Sequence, residues 1–400
     1  MDTLEKQNII LEGIHYATRK VIRIGIRNGF IYSLADIDEI YWPGENSRDK
    51  LSVIAPGLVD LQLNGFKGVD FNADELAVES IETISQNLLR QGVTKYFPTL
   101  FTGPPQRISK ALDAIVDAIN QKIVASHMIG GIHLEGPFIS KEDGPRGAHP
   151  EAYCLDPSIA MVKRLQEEAE GRIRIITLAP ELPGSEGLIK ACVKMGMVVA
   201  IGHTSGSSED IKMAVDAGAT LSTHLGNGSH GILPRHPNYI WDQLADDRLY
   251  TSMIADGFHL PDPVLKVFIR SKKERSILVS DGMYCTGLDP GVYDSPAAGR
   301  IRLTEEGKLH REGNPDLLTG SASTLLEGVE KISEMEGFPF AWDMGSVHPL
   351  RLLNHASNYG LFVGAPADLV LLDQDLERLK IIKIYKSGVE WDGSHNPHRP

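Results

Sequence analysis

From about residue 56 onward one rhythm dominates the chain: an apolar run, turn residues, then a helical segment. Eight runs read as strands: Gly57–Leu63, Lys95–Leu100, Met128–Leu134, Ile173–Leu178, Met197–Gly202, Ala219–His224, Tyr250–Ala255 and Ser276–Ser280. Segments of helical period lie between them. Ser80–Arg90 sets Ile81, Ile84, Leu88 and Leu89 on one face and stops near Gly92. Ile108–Ile119 repeats the period, and Asp156-Pro157 supplies an N-cap and a first-turn proline for Ile159–Glu168. Ser208–Ala217 stops at Gly218, and Asp262-Pro263 opens a helix running to Ile269. Strands alternating with helices imply parallel βαβ units, and eight units predict a closed (β/α)8 TIM-type barrel of the α/β class. The alternative is an open, doubly wound sheet, but no G-x-G-x-x-G follows the first strand.

The two ends of the chain read differently. Asn8 to Leu11 and Lys20 to Ile26 are strand-like, and Asn28-Gly29 is a hairpin signal from which Phe30 to Leu34 returns. Asp368–Leu372 and Leu379–Tyr385 are strand-like again. The expectation is one small β-domain from residues 1–55 and 360–400, beside a barrel domain at 56–359. Residues 284–317 break the rhythm as an irregular excursion with a short hairpin. Helices return at Thr324–Glu336 and Gly345–Ser357, and 392–400 read as a loose tail.

Composition narrows the function. Lys and Arg total 40 against 53 Asp and Glu, a formal charge of −13. That disfavours nucleic-acid and anionic-membrane surfaces as partners. No apolar run approaches the ~20 residues of a membrane helix. The N-terminus lacks a basic segment followed by an apolar one. Cys154, Cys192 and Cys285 form no CxxC or paired framework, so a reducing cytoplasm is the simplest location.

Barrel chemistry collects at the C-terminal ends of the strands. The apolar run Met128 to Leu134 drives into Glu135 and then a Gly136-Pro137 stop. The fifth strand ends at His203 and the sixth at His224. Two imidazoles and one carboxylate from three strands are a common catalytic zinc set. Asp281 ends the last strand, where packing calls for no carboxylate. It reads as a general base and acid acting on activated water, or else as a helix N-cap, although Gly282, Gly287 and Pro290 do not continue as a helix. His133, two residues before Glu135, reads as a hydrogen-bonding residue deeper in the barrel.

Several motifs together resemble the amidohydrolase superfamily and, within it, the N-acetylglucosamine-6-phosphate deacetylases. They are Pro56 to Gly65, His133 to Phe138, Thr177-Leu178-Ala179-Pro180-Glu181, Ile201 to Thr204, Thr223-His224-Leu225, Ile254 to Gly257, Leu278 to Asp281 and Leu318 to Ser321. The resemblance implies a barrel with a small β-sandwich built from both termini. It implies Glu135, His203 and His224 as metal ligands, Asp281 as the catalytic aspartate, and His149 as a group polarising the substrate carbonyl. It implies that Asn227, Gly228, His259 and Arg235 contact the substrate phosphate, the arginine from across a homodimer interface. Where binuclear relatives carry H-x-H, this chain has Gln62 and Asn64. Neutral amides are poor ligands beside imidazole and carboxylate, so the pair reads as the remnant of a second metal site, or as hydrogen-bonding groups in the barrel mouth. One divalent metal is expected, zinc first, with iron, cobalt or manganese as alternatives.

The implied reaction is hydrolysis of the N-acetyl group of an N-acetylated amino-sugar phosphate. The alternatives are hydrolysis of another N-acyl sugar, an N-acyl amino acid or a cyclic amide, and non-catalytic binding of a sugar phosphate. The chain departs from the family pattern at Leu225-Gly226-Asn227-Gly228-Ser229-His230 and at Leu233-Pro234-Arg235-His236-Pro237. Gly226, His230 and His236 are expected to widen or recharge the phosphate end.

Overall fold

The computed structural model describes residues 8–37, 51–121, 123–295, 299–353, 359–376 and 378–391. The expected tail at 392–400 lies outside the described residues.

The alternation folds as expected. Eight strands follow one another in a parallel sheet: Leu58–Leu63, Val93–Phe101, Ile132–Glu135, Ile173–Leu178, Val198–Ile201, Leu221–Ser222, Tyr250–Met253 and Ser276–Leu278. The seam between first and last closes just beyond the regular ladder. Asn64 N and Gly65 N each donate to Gly282 O at 2.9 Å, and Asp281 N donates to Gln62 O at 3.0 Å. Asp60, buried in the same seam, accepts from Ser280 N at 3.2 Å. Burial pushes its carboxyl up to about 7.

Three strands stop earlier than the apolar runs suggested, each just before a residue with left-handed backbone. His203 has φ 52, His224 φ 27 and Asp281 φ 47. Such angles are costly for residues with a Cβ and concentrate at functional sites. Here they take three chemical side chains out of the ladder at the barrel mouth.

Helices cover the barrel. Ile159–Glu168 is capped by Ser158, whose side chain accepts from Met161 N, and not by the expected Asp156. Ser207 and Asp210 form a reciprocal capping box for Ser208–Ala217, which stops at Gly218 with φ 113. Ser185–Lys194 and Tyr239–Ala245 fall outside the sequence expectation, as do Phe338–Met344 and Val124–Met128, the last of which takes the start of the expected strand Met128–Leu134. The first buries only the narrow stripe Ser185, Leu188, Ile189 and Cys192. The second is seven residues long and owes its start to Asn238, whose side chain accepts from Ile240 N and Trp241 N. The expected helix at 345–357 is Val347–Leu352, preceded by Phe338–Met344. Residues 354–358 lie outside the described residues.

The two chain ends join in one seven-stranded sheet, with Val53–Pro56 hydrogen-bonded between Ile9–His15 and Leu369–Leu372. Side chains alternate between two cores, as the period of a strand requires. Ile54, Leu369 and Leu371 bury with Ile22, Ile24, Ile26 and Ile31. Val53, Ala55, Val370 and Leu372 join the barrel core. Trp342 pins this junction, its Nε1 donating to Pro56 O at 2.8 Å.

The excursion is more than a short hairpin. Gly291–Ser295, Gly299–Leu303, Leu309–Arg311 and Asn314–Leu318 form a four-stranded antiparallel sheet. Ile301, Leu303 and Leu309 pack on Met283 and Cys285, which follow Asp281. The strands are short, and Pro315 within the last hid it from a propensity reading.

Trp342→Ala removes a fully buried indole and leaves Pro56 O without its donor. The expected loss is about 3–5 kcal/mol. A urea midpoint unchanged from the parent chain would show that the junction does not depend on this residue.

Candidate active site

A cavity of about 390 Å³ opens at the C-terminal end of the barrel. Glu135, His203, His224, Asp281, His149, Asn64, Asn227, Gly228 and His259 all line it. Residues from seven separate chain segments thus meet where the strand ends converge.

Glu135 Oε1 is the centre. His224 Nε2 lies 3.0 Å from it, His203 Nε2 3.2 Å, and Gln62 Nε2 donates to it at 2.8 Å. Burial raises the Glu135 carboxyl, but the two imidazoles outweigh burial and hold it well below the usual carboxylate range. Burial pulls His224 down, and Glu135 reverses that, leaving it raised.

The tautomer of His203 tests whether a metal fits. Its Nδ1 lies 2.9 Å from Pro145 O. A carbonyl only accepts, so Nδ1 carries the proton. A neutral ring then presents the Nε2 lone pair to a carboxylate oxygen at 3.2 Å. Two lone pairs facing each other require a cation between them, a proton or a metal. Ligand atoms bound at ~2.0–2.1 Å in a tetrahedral set are ~3.3 Å apart, close to the separations of Glu135 Oε1 from His203 Nε2 and from His224 Nε2, although the group whose donor atoms all lie within 4.8 Å of one another is Glu135, His149 and His203. The residues fit a divalent ion. A ring nitrogen bound to a carbonyl on its far side is also how metal-ligating histidines are commonly oriented.

His133 makes the contrast. Its Nδ1 donates to Leu61 O at 3.1 Å, and its Nε2 accepts from Thr177 Oγ1 at 2.8 Å. Both nitrogens are satisfied, and burial pushes the ring down to about 4, so it is neutral.

His149 comes from the loop after the third strand. Its ring centroid is 4.3 Å from that of His203. The donor atoms of Glu135, His149 and His203 lie within 4.8 Å of one another, so His149 is within reach of the same ion. Burial and then His203 push it down to about 3, which keeps the ring neutral. Its Nδ1 is buried without a partner among the described residues.

Asp281 stands opposite. Asn64 Nδ2 donates to its Oδ1 at 2.8 Å. Burial raises this carboxyl to about 6, with His224 pulling the other way. It does not cap a helix; the chain runs on through Met283 and Tyr284 toward the antiparallel insert.

At the far end, His259 Nδ1 is 2.7 Å from Asp256 Oδ2, with both side chains buried. Asp256 also accepts from Phe258 N and His259 N, which ties the turn together. Gly228 sits against His203: a Cβ there would lie 2.5 Å from His203 Nδ1, and φ is +55. Only glycine allows the 226–228 turn this close.

Arg235 is exposed and lies outside the lining of its own chain's cavity. Two expectations need correction. His230 does not recharge the pocket, because its ring bonds Glu142 Oε2 and Tyr239 OH, both at 3.1 Å. His236 is exposed and also outside the lining. The sequence reading also missed one wall, formed by Asp316 to Gly320 of the insert with Met283 and Phe101. The Leu318-Thr319-Gly320-Ser321 motif was its only signal.

The amidohydrolase family model matches residues 53–393. The chain belongs to the amidohydrolase family. It is 34% identical over 338 residues to N-acetylglucosamine-6-phosphate deacetylase of Homo sapiens, covering 81% of this chain and 80% of that one. It is 31% identical over 405 residues to the Caenorhabditis elegans enzyme of the same name, covering 94% of each. Among solved structures it resembles a mutant of the Mycobacterium smegmatis deacetylase in complex with N-acetyl-D-glucosamine-6-phosphate. The TM-score is 0.84 at 26% identity, covering 96% of this chain and 99% of that one. Amidohydrolases use divalent metals, and the Glu135 cluster supplies the donors for one.

Gly228→Ala is expected to push the 226–228 turn off His203 and weaken divalent-metal binding about 10-fold or more, as losses around metal ligands do. Chelator competition measures it, and an unchanged affinity would show that the turn has room to move.

Proposed function

We propose that this chain hydrolyses the N-acetyl group of N-acetylglucosamine 6-phosphate, giving glucosamine 6-phosphate and acetate. The observation that carries the reading is a buried carboxylate, Asp281, in one cavity with the Glu135–His203–His224 donor set. Relatives of that name align over most of the chain.

Glu135, His203 and His224 hold one divalent ion, zinc first among zinc, iron, cobalt and manganese. When bound, the ion supplies Lewis acidity that lowers the pKa of water and polarises a carbonyl oxygen. Asp281 accepts the proton of the attacking water at its carboxylate. The C–N bond then breaks, and Asp281 returns that proton to the leaving nitrogen. His149, neutral, donates a hydrogen bond to the acetyl oxygen. His259 and the backbone N–H groups of Asn227 and Gly228 receive the phosphate. Arg235, exposed here, does so from the partner in a homodimer. Residues 1–55 and 360–400 serve as the supporting β-domain of the barrel at 56–359. No helix among the described residues is long and apolar enough to cross a membrane. The enzyme works on a small metabolite in the cytoplasm.

One observation favours a second reading, an amidohydrolase for an uncharged N-acyl substrate: among the described residues no Lys or Arg lines the cavity. Acetate release from N-acetylglucosamine 6-phosphate, against the same sugar without phosphate, separates the two. The proposal expects the phosphorylated sugar to react with at least about 100-fold higher kcat/KM, the size of a lost charge-assisted contact set. Equal rates would overturn it in favour of the second reading.

Asp281→Asn is expected to lower kcat by about 10²–10⁴ while the protein still binds metal. Full activity would remove Asp281 from its role. The pH profile follows with its sign fixed. Protonated Asp281 cannot accept a proton, and its carboxyl sits near pH 6 before an ion is bound. A bound cation lowers that value. The acid limb of kcat/KM therefore lies at or below about pH 6, falling about tenfold per pH unit. A profile flat down to pH 4 would exclude Asp281 as the base.

A further inference from the structure

Gln62 and Asn64 are neutral amides two residues apart, Gln62 in the strand Leu58–Leu63 and Asn64 just past its end, and both reach carboxylates at the barrel mouth. Each gives its N–H to a different carboxylate. Gln62 Nε2 donates to Glu135 Oε1 at 2.8 Å, and Asn64 Nδ2 donates to Asp281 Oδ1 at 2.8 Å. The acceptors fix which amide atom is which, because a carboxylate offers no donor. Both amides are buried, with 1% and 3% of their surface exposed. The backbone around them is fixed as well. Asp281 N donates to Gln62 O, and Asn64 N donates to Gly282 O.

We infer that Gln62 and Asn64 are a pair of positioning residues: Gln62 orients the ligand carboxylate Glu135, and Asn64 orients the base Asp281. The inference rests on the metal-dependent reading above and reassigns the pair from a lost metal site to an active donor pair. Asn64 engages one oxygen of Asp281 and thereby leaves Oδ2 as the oxygen that exchanges protons. Without it the carboxylate is free to rotate, on a residue whose φ is already 47. Gln62 acts on Glu135 as an outer hydrogen-bond partner acts on any metal-ligating carboxylate. Each amide nitrogen is turned to a carboxylate and carries no lone pair for a metal. An amide ligates through its oxygen, and Asn64 Oδ1 is buried without a partner among the described residues, so the metal count is part of the test.

Two near-isosteric variants without an N–H test the pair. In metal-saturated Asn64→Leu, kcat for acetate release is expected to fall at least about 50-fold, within the range of proton-transfer catalysis. KM is expected to stay within about threefold, because the substrate's ground-state contacts are untouched. Metal content stays at one equivalent per chain. Asn64→Ala, which removes the donor without adding a charge or a metal ligand, is expected to do the same and decides the matter should the leucine variant not fold. In Gln62→Met, metal affinity by chelator competition is expected to weaken about 10–100-fold.

A kcat within threefold of the parent in a folded Asn64 variant overturns the assignment of Asn64. Unchanged metal affinity in Gln62→Met overturns that of Gln62. Two metal equivalents in the parent chain, falling to one in either variant, would make the amides ligands and overturn both. A parent chain that binds metal but releases no acetate from any N-acetyl sugar sinks the proposed reaction instead. The metal-affinity arm still judges Gln62 in that case, and the Asn64 arm is read on whichever N-acyl substrate the enzyme hydrolyses.

Discussion

One carboxylate oxygen, Oε1 of Glu135, organises the mouth of this barrel. It faces His203, His224 and Gln62 at hydrogen-bond distance. Burying a carboxylate costs several kcal/mol unless its charge is matched. The matching groups come from the first, fifth and sixth strands, so the site exists only when the barrel is closed. His203 shows that the match demands a cation. Pro145 O accepts a hydrogen bond from its Nδ1–H, and the lone pair on Nε2 has another lone pair to face.

The fold serves this point by breaking its own regularity. A parallel ladder would leave His203, His224 and Asp281 tied to neighbouring strands. Left-handed backbone at all three releases them at the rim. The surrounding turns hold the strained residues in place. Gly228 packs against the His203 ring, and Glu181 accepts from Thr204 Oγ1 at 2.5 Å and Ser205 N at 2.7 Å, bracing the loop that follows His203. The terminal sheet contributes at a distance, through strands whose alternate side chains belong to the barrel core.

Much of this was legible in the sequence because it rests on local signals. Apolar runs ending in Glu135, His203, His224 and Asp281 mark strand ends, and eight of them separated by helical stripes leave few alternatives to a barrel. What was hidden depends on non-local geometry. Ser185–Lys194 lacks a wide apolar face, and the antiparallel insert is built from short strands with a proline in one of them. The pocket wall at Asp316 to Gly320 exists only because that insert folds back onto Met283 and Cys285. His230 was read as a pocket charge, but Glu142 and Tyr239 claim both of its nitrogens. Gln62 and Asn64 carried an ambiguous signal: residue type argued that they were not ligands, and only their partners revealed which carboxylates they serve.

The central claim is that a divalent cation completes the Glu135–His203–His224 set. Anomalous diffraction from crystals of the natively purified chain, at neutral pH and across the edges of zinc, iron, cobalt and manganese, tests it directly. The account predicts one peak per chain, ~2.0–2.2 Å from His203 Nε2, His224 Nε2 and a Glu135 oxygen. No peak, or a peak coordinated by Gln62 and Asn64, would contradict it.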